Sequence, residues 1–186
     1  METGASQTIE RQGPSLWEEE RVYDPTELQR LYLDDVWRYV SSRLDRREDA
    51  EDVTMDVMLS AFHRLQGGAA IAEPKVWLLT IAKNKVADFL RRKYRRPEAP
   101  LIEADTADAK DHLRRLAVQA VLGQMSEEHG QALVLKYVNG LSTDEVAAVM
   151  KRSPEAANSL LQRARQSFRE LAAATFELTE REEEEL

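Results

Sequence analysis

The sequence contains no cysteine, few glycines and aromatics, and no long apolar run. Its 186 residues include 7 Gly and 6% aromatic side chains. Without cysteine there is no disulfide and no thiolate metal site, so a reducing compartment, the cytoplasm, is expected. No stretch approaches the ~18 consecutive apolar residues of a membrane span, and the first residues lack an apolar signal core. Neither a membrane span nor a signal peptide is therefore predicted.

Helical features are present along most of the chain. Ala, Leu, Glu and Arg dominate, and β-branched residues do not cluster at period two. The pattern predicts an all-α protein with two small helical domains, at 24–97 and 112–172. The remaining segments are predicted to be a disordered extension at 1–23, an acidic flexible linker at 98–111 and a frayed acidic tail at 173–186. In the first helix, Leu31 and Leu33 are expected to face the core.

The net charge of −8 is unevenly distributed along the chain. Residues 30–97 hold 14 basic and 10 acidic side chains, and residues 112–176 hold 8 and 6. The N-terminal extension, the linker and the tail are all acidic. Because exposed charges act over a Debye length of about 8 Å, the two basic blocks indicate anionic partners better than the total does.

A helix-turn-helix pattern occupies residues 142–171. Ser142 and Glu145 form a predicted capping box, and Ser153 with Pro154 begins a longer helix. That helix carries an apolar stripe at spacings of four and three, made of Ala157, Leu161, Ala164, Phe168 and Leu171. The two helices are therefore expected to cross closely, with the stripe facing inward.

The opposite face of the longer helix carries polar side chains suited to DNA. It includes Asn158, Ser159, Gln162 and Arg163. Asn and Gln pair with adenine, and Arg with guanine, in the major groove, so this face is predicted to read bases. Lys151 and Arg152 in the turn are predicted to hold phosphates. The alternative is a helical hairpin with a solvated polar face.

The helix predicted at about 74–95 ends in a strongly basic segment. Residues 83–96 contain one acid, Asp88, and seven basic side chains: Lys83, Lys85, Arg91, Arg92, Lys93, Arg95 and Arg96. One or two cations would complement the helix dipole, but seven exceed that need. The surplus predicts a phosphate-binding surface, with a solvated face as the alternative.

The preceding helix begins with an acidic cluster of Glu48, Asp49, Glu51, Asp52 and Asp56. Acids are favoured at helix N-termini and no His lies in register with them, so a metal site is not predicted. Met55 and Leu59 lie on the outer side, next to the acids. Exposed apolar residues beside acids predict a protein-docking surface.

Taken in order, these segments resemble an extracytoplasmic-function sigma factor of the sigma-70 family. The resemblance is carried by "REDAEDVTMDVMLSAF", "KVWLLTIAKNKVADFLRRKYRR", an acidic linker and "LSTDEVAAVMKRSPEAANSLLQRAR". It implies a sigma region 2 domain, a three-helix-type bundle, and a sigma region 4 helix-turn-helix domain. The implied function is binding of core RNA polymerase, recognition of the minus-thirty-five and minus-ten promoter elements, and promotion of DNA melting.

The resemblance also implies a role for each matched position. Docking on the β′ clamp helices of core polymerase is implied for Asp49, Glu51, Asp52, Met55 and Asp56. Contact with the minus-ten element is implied for a base-capturing loop with Gln66, Gly67 and Gly68, and for Asn84, Lys83, Lys85, Arg91 and Arg92. Contact with the minus-thirty-five element is implied for Asn158, Ser159, Gln162, Arg163, Lys151 and Arg152. The other implied partners are the polymerase β flap, promoter DNA and an anti-sigma factor, without cofactor, metal or membrane insertion.

Two positions depart from the family pattern, and two alternatives remain open. The family usually has basic residues where this chain has Asn158 and Leu160, so a weaker hold on the minus-thirty-five element is expected. One alternative is an autonomous helix-turn-helix regulator, although no dimer face is evident. The other is an interaction protein that derives from a sigma factor and no longer binds DNA. An enzyme is least favoured, since the three His are scattered along the chain.

Overall fold

The chain folds into helices that match most of the predicted ones. The computed structural model describes the backbone of residues 22–68, 70–95 and 109–184 and the side chains of 22–68, 70–93 and 116–174. The helices are α1 (Pro25–Ser41), α2 (Arg47–Leu65), α3 (Pro74–Arg95), α4 (Ala109–Gln124), α5 (Glu127–Leu133), α6 (Thr143–Met150) and α7 (Pro154–Glu184), with a π-helical turn at Val134–Val138. No β-strand occurs in these residues, which confirms the all-α prediction. Most of the extension predicted at 1–23 and most of the linker predicted at 98–111 lie outside the described residues, but Tyr23, which is 8% exposed, packs in the core.

The helices α1, α2 and α3 pack together as a three-helix bundle, the N-terminal bundle. The Asp24 carboxylate caps α1 by accepting hydrogen bonds from the N–H groups of Thr26 (2.9 Å) and Glu27 (3.2 Å). The core is filled by side chains that are almost fully buried, among them Val36, Tyr39, Val57, Leu78, Leu79 and Val86. Capping and a continuous apolar face on each helix thus account for this bundle.

The prediction that Leu31 and Leu33 face the core is wrong. Leu31 is 47% exposed and Leu33 is 38% exposed. The side of α1 that meets α2 and α3 is already occupied by Leu28, Val36 and Val40. Residues on a helix are about 100° apart, so both leucines lie on the flanks of that side. The buried face of α1 is therefore narrower than the number of leucines in its sequence suggests.

The helices α4 to α7 and the π-helical turn form a second bundle, the C-terminal bundle. Its longest helix, α7, contacts α4, α5 and α6. Leu135, Leu141, Val146 and Leu161 are among its buried side chains. The helix α7 continues to Glu184, through the segment for which a frayed tail was predicted. Strong helix formers such as Ala and Glu favour this continuation of the helix.

A π-helical turn at Val134–Val138 follows α5 without a break. The Asn139 N–H donates to the Val134 carbonyl, five residues back, at 3.1 Å. Gly140 follows with φ +71°, in the left-handed region that glycine adopts at little cost. A π turn holds one residue more than an α turn, so it rotates the following residues relative to α5.

The two bundles contact each other, which the sequence did not predict. The helix α3 packs against α6, and α1 packs against the π-helical turn. The acidic linker was expected only to separate two domains. No helix within the described part of the chain is long and apolar enough to cross a bilayer.

Candidate nucleic-acid interface

Two caps and one unusual turn residue shape the helix-turn-helix of α6 and α7. The Ser142 hydroxyl accepts a hydrogen bond from the Glu145 N–H (3.1 Å), and the Glu145 carboxylate accepts one from the Ser142 N–H (2.6 Å). Ser153 caps α7 by accepting from the Ala156 N–H at 3.2 Å. Lys151 takes the left-handed conformation (φ 54°, ψ 50°), which redirects the chain after α6. The predicted capping box is confirmed.

The polar side of α7 faces solvent, as predicted. Asn158, Ser159, Gln162 and Arg163 are all exposed, and they are called the recognition face below. The side chains behind them are buried or partly buried: Ala157, Leu161, Ala164, Phe168 and Leu171. The Arg163 guanidinium donates from Nε to the Ser159 carbonyl at 3.3 Å. Two side-chain amides and one guanidinium are thus presented on a rigid, well-packed helix.

Leu160 belongs to the core and not to the recognition face. Its side chain is 2% exposed and packs with the buried side chains of the C-terminal bundle. A basic side chain at this place would have to be buried or would displace the packing. Of the two departures from the family pattern, only Asn158 therefore changes the recognition face.

The turn residues predicted to hold phosphates are both exposed, but their surroundings differ. The Arg152 guanidinium lies 2.7 Å from the Glu128 carboxylate of α5. Lys151 ends α6, which packs against α3, and its charge acts on Lys83 of α3. Burial, followed by the charge of Lys151, lowers the pKa of Lys83. A residue predicted for the minus-ten element and one predicted for the minus-thirty-five element are thus brought together.

The basic face of α3 is partly paired with acids of α2. The Lys85 ammonium lies 3.9 Å from the Asp56 carboxylate, and the Lys93 ammonium lies 3.3 Å from that of Asp49. Partly exposed pairs of this kind contribute about 0–1 kcal/mol each, and salt screens them. They are therefore weak enough to be exchanged for contacts with phosphates.

Three further α3 side chains predicted to contact DNA are exposed. Asn84 lies between Lys83 and Lys85, and Arg92 follows Arg91 on the last turns of the helix. Arg91 pairs with Asp88 one turn earlier, at 2.5 Å. Within the described residues, neither Asn84 nor Arg92 has an ion pair or a side-chain hydrogen bond. The exposed side of α3 thus offers an amide and a guanidinium to solvent.

The loop after α2 presents Gln66, Gly67 and Gly68 to solvent. The Gly68 N–H donates to the Leu65 carbonyl at 2.8 Å, and Gly68 has φ +72°, which favours glycine. Ile71, 7% exposed, fixes the far end of this loop in the core. The loop is therefore a short protrusion anchored at both ends.

The outer side of α2 combines acids with exposed apolar side chains. Asp52 and Asp56 are exposed beside Met55 (58%) and Leu59 (51%), as predicted. Phe62, which is 44% exposed one turn further along, was missed from the sequence. Glu51 pairs with Arg47 at 2.9 Å, and Asp49 is largely turned toward Lys93. Asp52, Met55, Asp56, Leu59 and Phe62 form the docking face of α2.

A large apolar groove on the C-terminal bundle was also missed. It has a volume of about 590 Å³ and is lined by Val118, Leu122, Leu133, Val134, Tyr137, Val138, Gln162, Arg165, Phe168 and Arg169. Tyr137 is 61% exposed there. The signal was the run "ALVLKYV" at 132–138, because a helix with apolar residues all round cannot turn all of them toward one core.

Comparison with protein families identifies both bundles. The family model described as Sigma-70 region 2 matches residues 28–96, and that described as Sigma-70, region 4 matches residues 115–168. The two matches cover α1–α3 and most of α4–α7. The chain therefore belongs to the sigma-70 family, and several curated relatives that it matches are named extracytoplasmic-function (ECF) RNA polymerase sigma factors.

The share of a relative's own length that this chain spans differs among three of these relatives. It is 28% identical to the ECF RNA polymerase sigma factor BldN of Streptomyces coelicolor, over 77% of this chain and 56% of that protein. It is 31% identical to the ECF sigma factor SigE of Mycolicibacterium smegmatis, over 79% of this chain and 61% of SigE. For the RNA polymerase sigma factor YlaC of Bacillus subtilis, the identity is 28% over 75% of this chain and 86% of YlaC.

Two solved structures share the fold. CnrH, solved in complex with the cytosolic domain of CnrY, aligns with a TM-score of 0.62 at 24% identity, over 81% of this chain and 88% of CnrH. The sigma factor RpoE of Bartonella quintana, solved with the anti-sigma factor NepR, aligns with a TM-score of 0.63 at 22% identity, over 78% of this chain and 94% of RpoE. At these identities the similarity concerns the fold alone.

Proposed function

We propose that this chain is a sigma factor that binds core RNA polymerase, recognises the minus-thirty-five and minus-ten elements and promotes promoter melting. The observation that carries the proposal is the recognition face, exposed on a capped helix-turn-helix whose opposite side is buried. The chain contributes promoter choice and strand opening and performs no catalysis itself. It acts in the cytoplasm, where the polymerase meets DNA.

The recognition face is suited to the minus-thirty-five element. Asn158 and Gln162 lie one turn apart on α7, so two amides can address neighbouring bases in the major groove. Arg163 adds a guanidinium for guanine. Lys151 and Arg152 lie at the N-terminal approach to α7, where phosphates of the groove edge would pass. These contacts favour a site with adenine in at least one of the contacted positions.

The exposed loop 66–68 and the basic face of α3 are suited to the minus-ten element. Extruding a base from the duplex costs a few kcal/mol, so its capture requires compensating contacts. Asn84 offers donor and acceptor groups for a base edge, and Lys85 and Arg92 offer charges for the single-strand backbone. The loop carries no aromatic side chain, so stacking is not its contribution.

Two further surfaces are suited to core polymerase. The docking face of α2 joins carboxylates with apolar side chains, which fits basic and apolar partners such as the β′ clamp helices. The apolar groove on the C-terminal bundle has the size and lining to take the apolar side of a helix, and we assign it to the β flap. Both sites together would hold the chain at two separate points of the enzyme.

An anti-sigma factor is a further proposed partner. CnrH and RpoE were each solved with a protein bound, CnrY and NepR respectively. A regulator of this kind would have to cover the docking face of α2 or the apolar groove in order to compete with core polymerase. Competition with the polymerase for either surface would keep the chain inactive.

Transcription by purified core polymerase tests the proposal. On a library of promoter sequences, addition of the chain should give transcripts that start from a subset with shared elements at two positions. Transcripts that are the same with and without the chain would refute the proposal. A chain that instead binds duplex DNA tightly without polymerase would act as an autonomous regulator.

The matched variants are Asn158→Ala on the recognition face and Gln124→Ala on the exposed end of α4. Both remove one exposed amide from a helix, but only Asn158 faces the proposed DNA site. The promoter preference should change for Asn158→Ala and stay the same for Gln124→Ala.

A further inference from the structure

The apolar groove of the C-terminal bundle has its charged side chains on one edge only. Most of its lining is apolar or aromatic and comes from α4, the end of α5, the π-helical turn and α7. The remaining lining residues, Gln162, Arg165 and Arg169, all belong to α7. No carboxylate of the described residues lines the groove. It therefore combines a wide apolar surface with a single cationic edge.

The two arginines of this edge are oriented by their own helix. The Arg165 Nε donates to the Leu161 carbonyl, and the Arg169 Nε donates to the Arg165 carbonyl, both at 3.3 Å. Glu170, the acid next to Arg169 in the chain, accepts a hydrogen bond from the Gln166 amide at 2.6 Å instead. Residues four apart lie one turn apart on the same side of a helix. The Nη groups of both arginines are thus available together at the rim of the groove.

The apolar lining of the groove is open to water. Tyr137 is 61% exposed, Val118 44% and Val138 39%. Single exposed apolar side chains are ordinary on a protein surface, but these three line one common cavity. An apolar chain laid over them leaves water, and each buried methylene strengthens binding roughly fourfold. The groove therefore gains most from a ligand with a long alkyl body.

The size and the charge of the groove together define the ligand. Its volume of about 590 Å³ lies within the ~300–1,000 Å³ of sites that bind small molecules, which are mainly apolar with a few polar groups. Two guanidiniums one turn apart suit one carboxylate, because hydrogen bonds between charged partners are roughly twice as strong as neutral ones. A molecule with one anionic end and an apolar body fits both features.

We propose that this groove binds a free long-chain carboxylate, a fatty acid anion. The Nη groups of Arg165 and Arg169 hold the carboxylate. The alkyl chain lies against Val118, Tyr137 and Val138 and removes their apolar surface from water.

A bound carboxylate and the polymerase would compete for this groove. The apolar side of a helix, which we assign to the β flap, uses the apolar lining only. A long-chain carboxylate uses the same lining and both guanidiniums, so the two occupants exclude each other. The carboxylate should therefore reduce binding of core polymerase. This consequence rests on the proposed function, whereas the binding of the carboxylate does not.

Calorimetric titration of the full-length chain tests the site. The probes are octanoate, decanoate and dodecanoate, each below the concentration at which it forms micelles. One site per chain is expected, and each step of two methylenes should strengthen binding about fifteenfold until the alkyl chain exceeds the groove. Decylammonium, with the same alkyl length as decanoate and the opposite charge, should bind at least about tenfold more weakly.

Matched variants separate the cationic edge from the apolar lining. Arg165→Gln and Arg169→Gln should each weaken decanoate binding about tenfold, while Arg64→Gln, which removes an exposed arginine of α2 outside the groove, should leave it unchanged. Val118→Glu, which puts a carboxylate into the groove, should weaken it at least as much. Leu31→Glu makes the same kind of change on the exposed side of α1 and is its control. Circular dichroism checks that each variant folds.

Three results would overturn the carboxylate site. They are equal binding of decanoate and decylammonium, decanoate binding that neither arginine variant weakens, and binding to vesicles of anionic phospholipid without binding of free decanoate. The last result would mean that the groove meets a membrane surface.

Pull-down of core polymerase, with and without decanoate, separates this inference from the proposed function. If decanoate binds as expected and does not reduce the pull-down, the carboxylate site stands and the assignment of the groove to the β flap is wrong. If no polymerase is pulled down at all, the proposed function is wrong, and the titration alone still decides the site. If polymerase binds and decanoate does not, only the carboxylate site is wrong.

Discussion

The two proposed DNA surfaces differ in what their side chains do before DNA arrives. On α3, Lys85 and Lys93 are paired with acids of α2, and Lys83 faces the other bundle. On α7, the amides of Asn158 and Gln162 are exposed on a helix fixed by buried neighbours. The α3 surface can bind DNA strands only if its lysines exchange the carboxylates of α2 for phosphates. The amides of α7, in contrast, are already exposed for contact with bases. The difference corresponds to their proposed tasks, since melting follows recognition.

The largest expected effect is a loss of stability when the buried core beneath the recognition face is changed. Leu160→Arg, which introduces the basic residue usual in the family, should lower the free energy of unfolding by about 4 kcal/mol, because it buries an unpaired charge in a filled core. Chemical denaturation followed by circular dichroism measures it. The neighbouring exposed variant Ser159→Arg should change stability by less than about 0.5 kcal/mol. Equal stability of the two variants would place Leu160 on the surface.

A second prediction separates base reading from phosphate binding. Asn158→Ala should cost about 1–3 kcal/mol at one base position and little at others. Arg92→Ala should weaken binding to all promoters alike and should reduce the salt dependence of binding by about one ion. Transcription from promoters altered base by base, at several salt concentrations, distinguishes the two patterns. A uniform loss for Asn158→Ala would mark it as a phosphate contact.

A third prediction concerns the docking face of α2. Asp52→Arg should weaken binding of core polymerase at least about tenfold, since it puts a like charge against a basic partner surface. Glu170→Arg on α7 makes the same change in charge away from that face and serves as the control. Pull-down of core polymerase, with circular dichroism to check folding, measures the effect. Undiminished binding by Asp52→Arg would refute the docking assignment.

The smallest expected effect concerns the turn between α6 and α7. A non-glycine residue in the left-handed region carries a cost of about 1–2 kcal/mol, so Lys151→Gly should raise the free energy of unfolding by up to about 1 kcal/mol. The same variant removes a proposed phosphate contact and should weaken DNA binding. Thermal unfolding and promoter binding should therefore move in opposite directions. A loss of stability would mean that the Lys151 side chain itself supports the turn.

Local features of the fold were accessible from the sequence, because they depend on residues close together in the chain. The caps at Ser142 and Ser153 and the inner stripe of α7 follow from spacing alone. The exposure of Leu31 and the burial of Leu160 were not accessible, since each depends on how wide a face the neighbouring helices cover. The contact between the two bundles was least accessible of all, since its hydrogen bond joins Asn139 to Asp35, which is 104 residues away in the chain.

For the candidate surfaces, too, the features set by nearby residues were predictable from the sequence and those set by helix packing were not. Charge and amide patterns located the recognition face and the basic face of α3 on exposed helix sides. The apolar groove was missed because four elements line it: α4, the end of α5, the π-helical turn and α7. Only the run at 132–138 has an unusual pattern by itself. The ion pairs between α2 and α3 were missed because helix pairing, not sequence spacing, brings acids and bases together.

The π-helical turn has a consequence for how this chain tolerates changes in length. It lines the apolar groove through Val134, Tyr137 and Val138, and Asn139, which donates to the Asp35 carbonyl of the other bundle, comes directly after it. Removing one residue would restore α-helical bonding but rotate the downstream residues by about 100°. A substitution there alters one surface, whereas a deletion misaligns both at once. Insertions and deletions, more than point changes, are the mutations that this five-residue stretch cannot absorb.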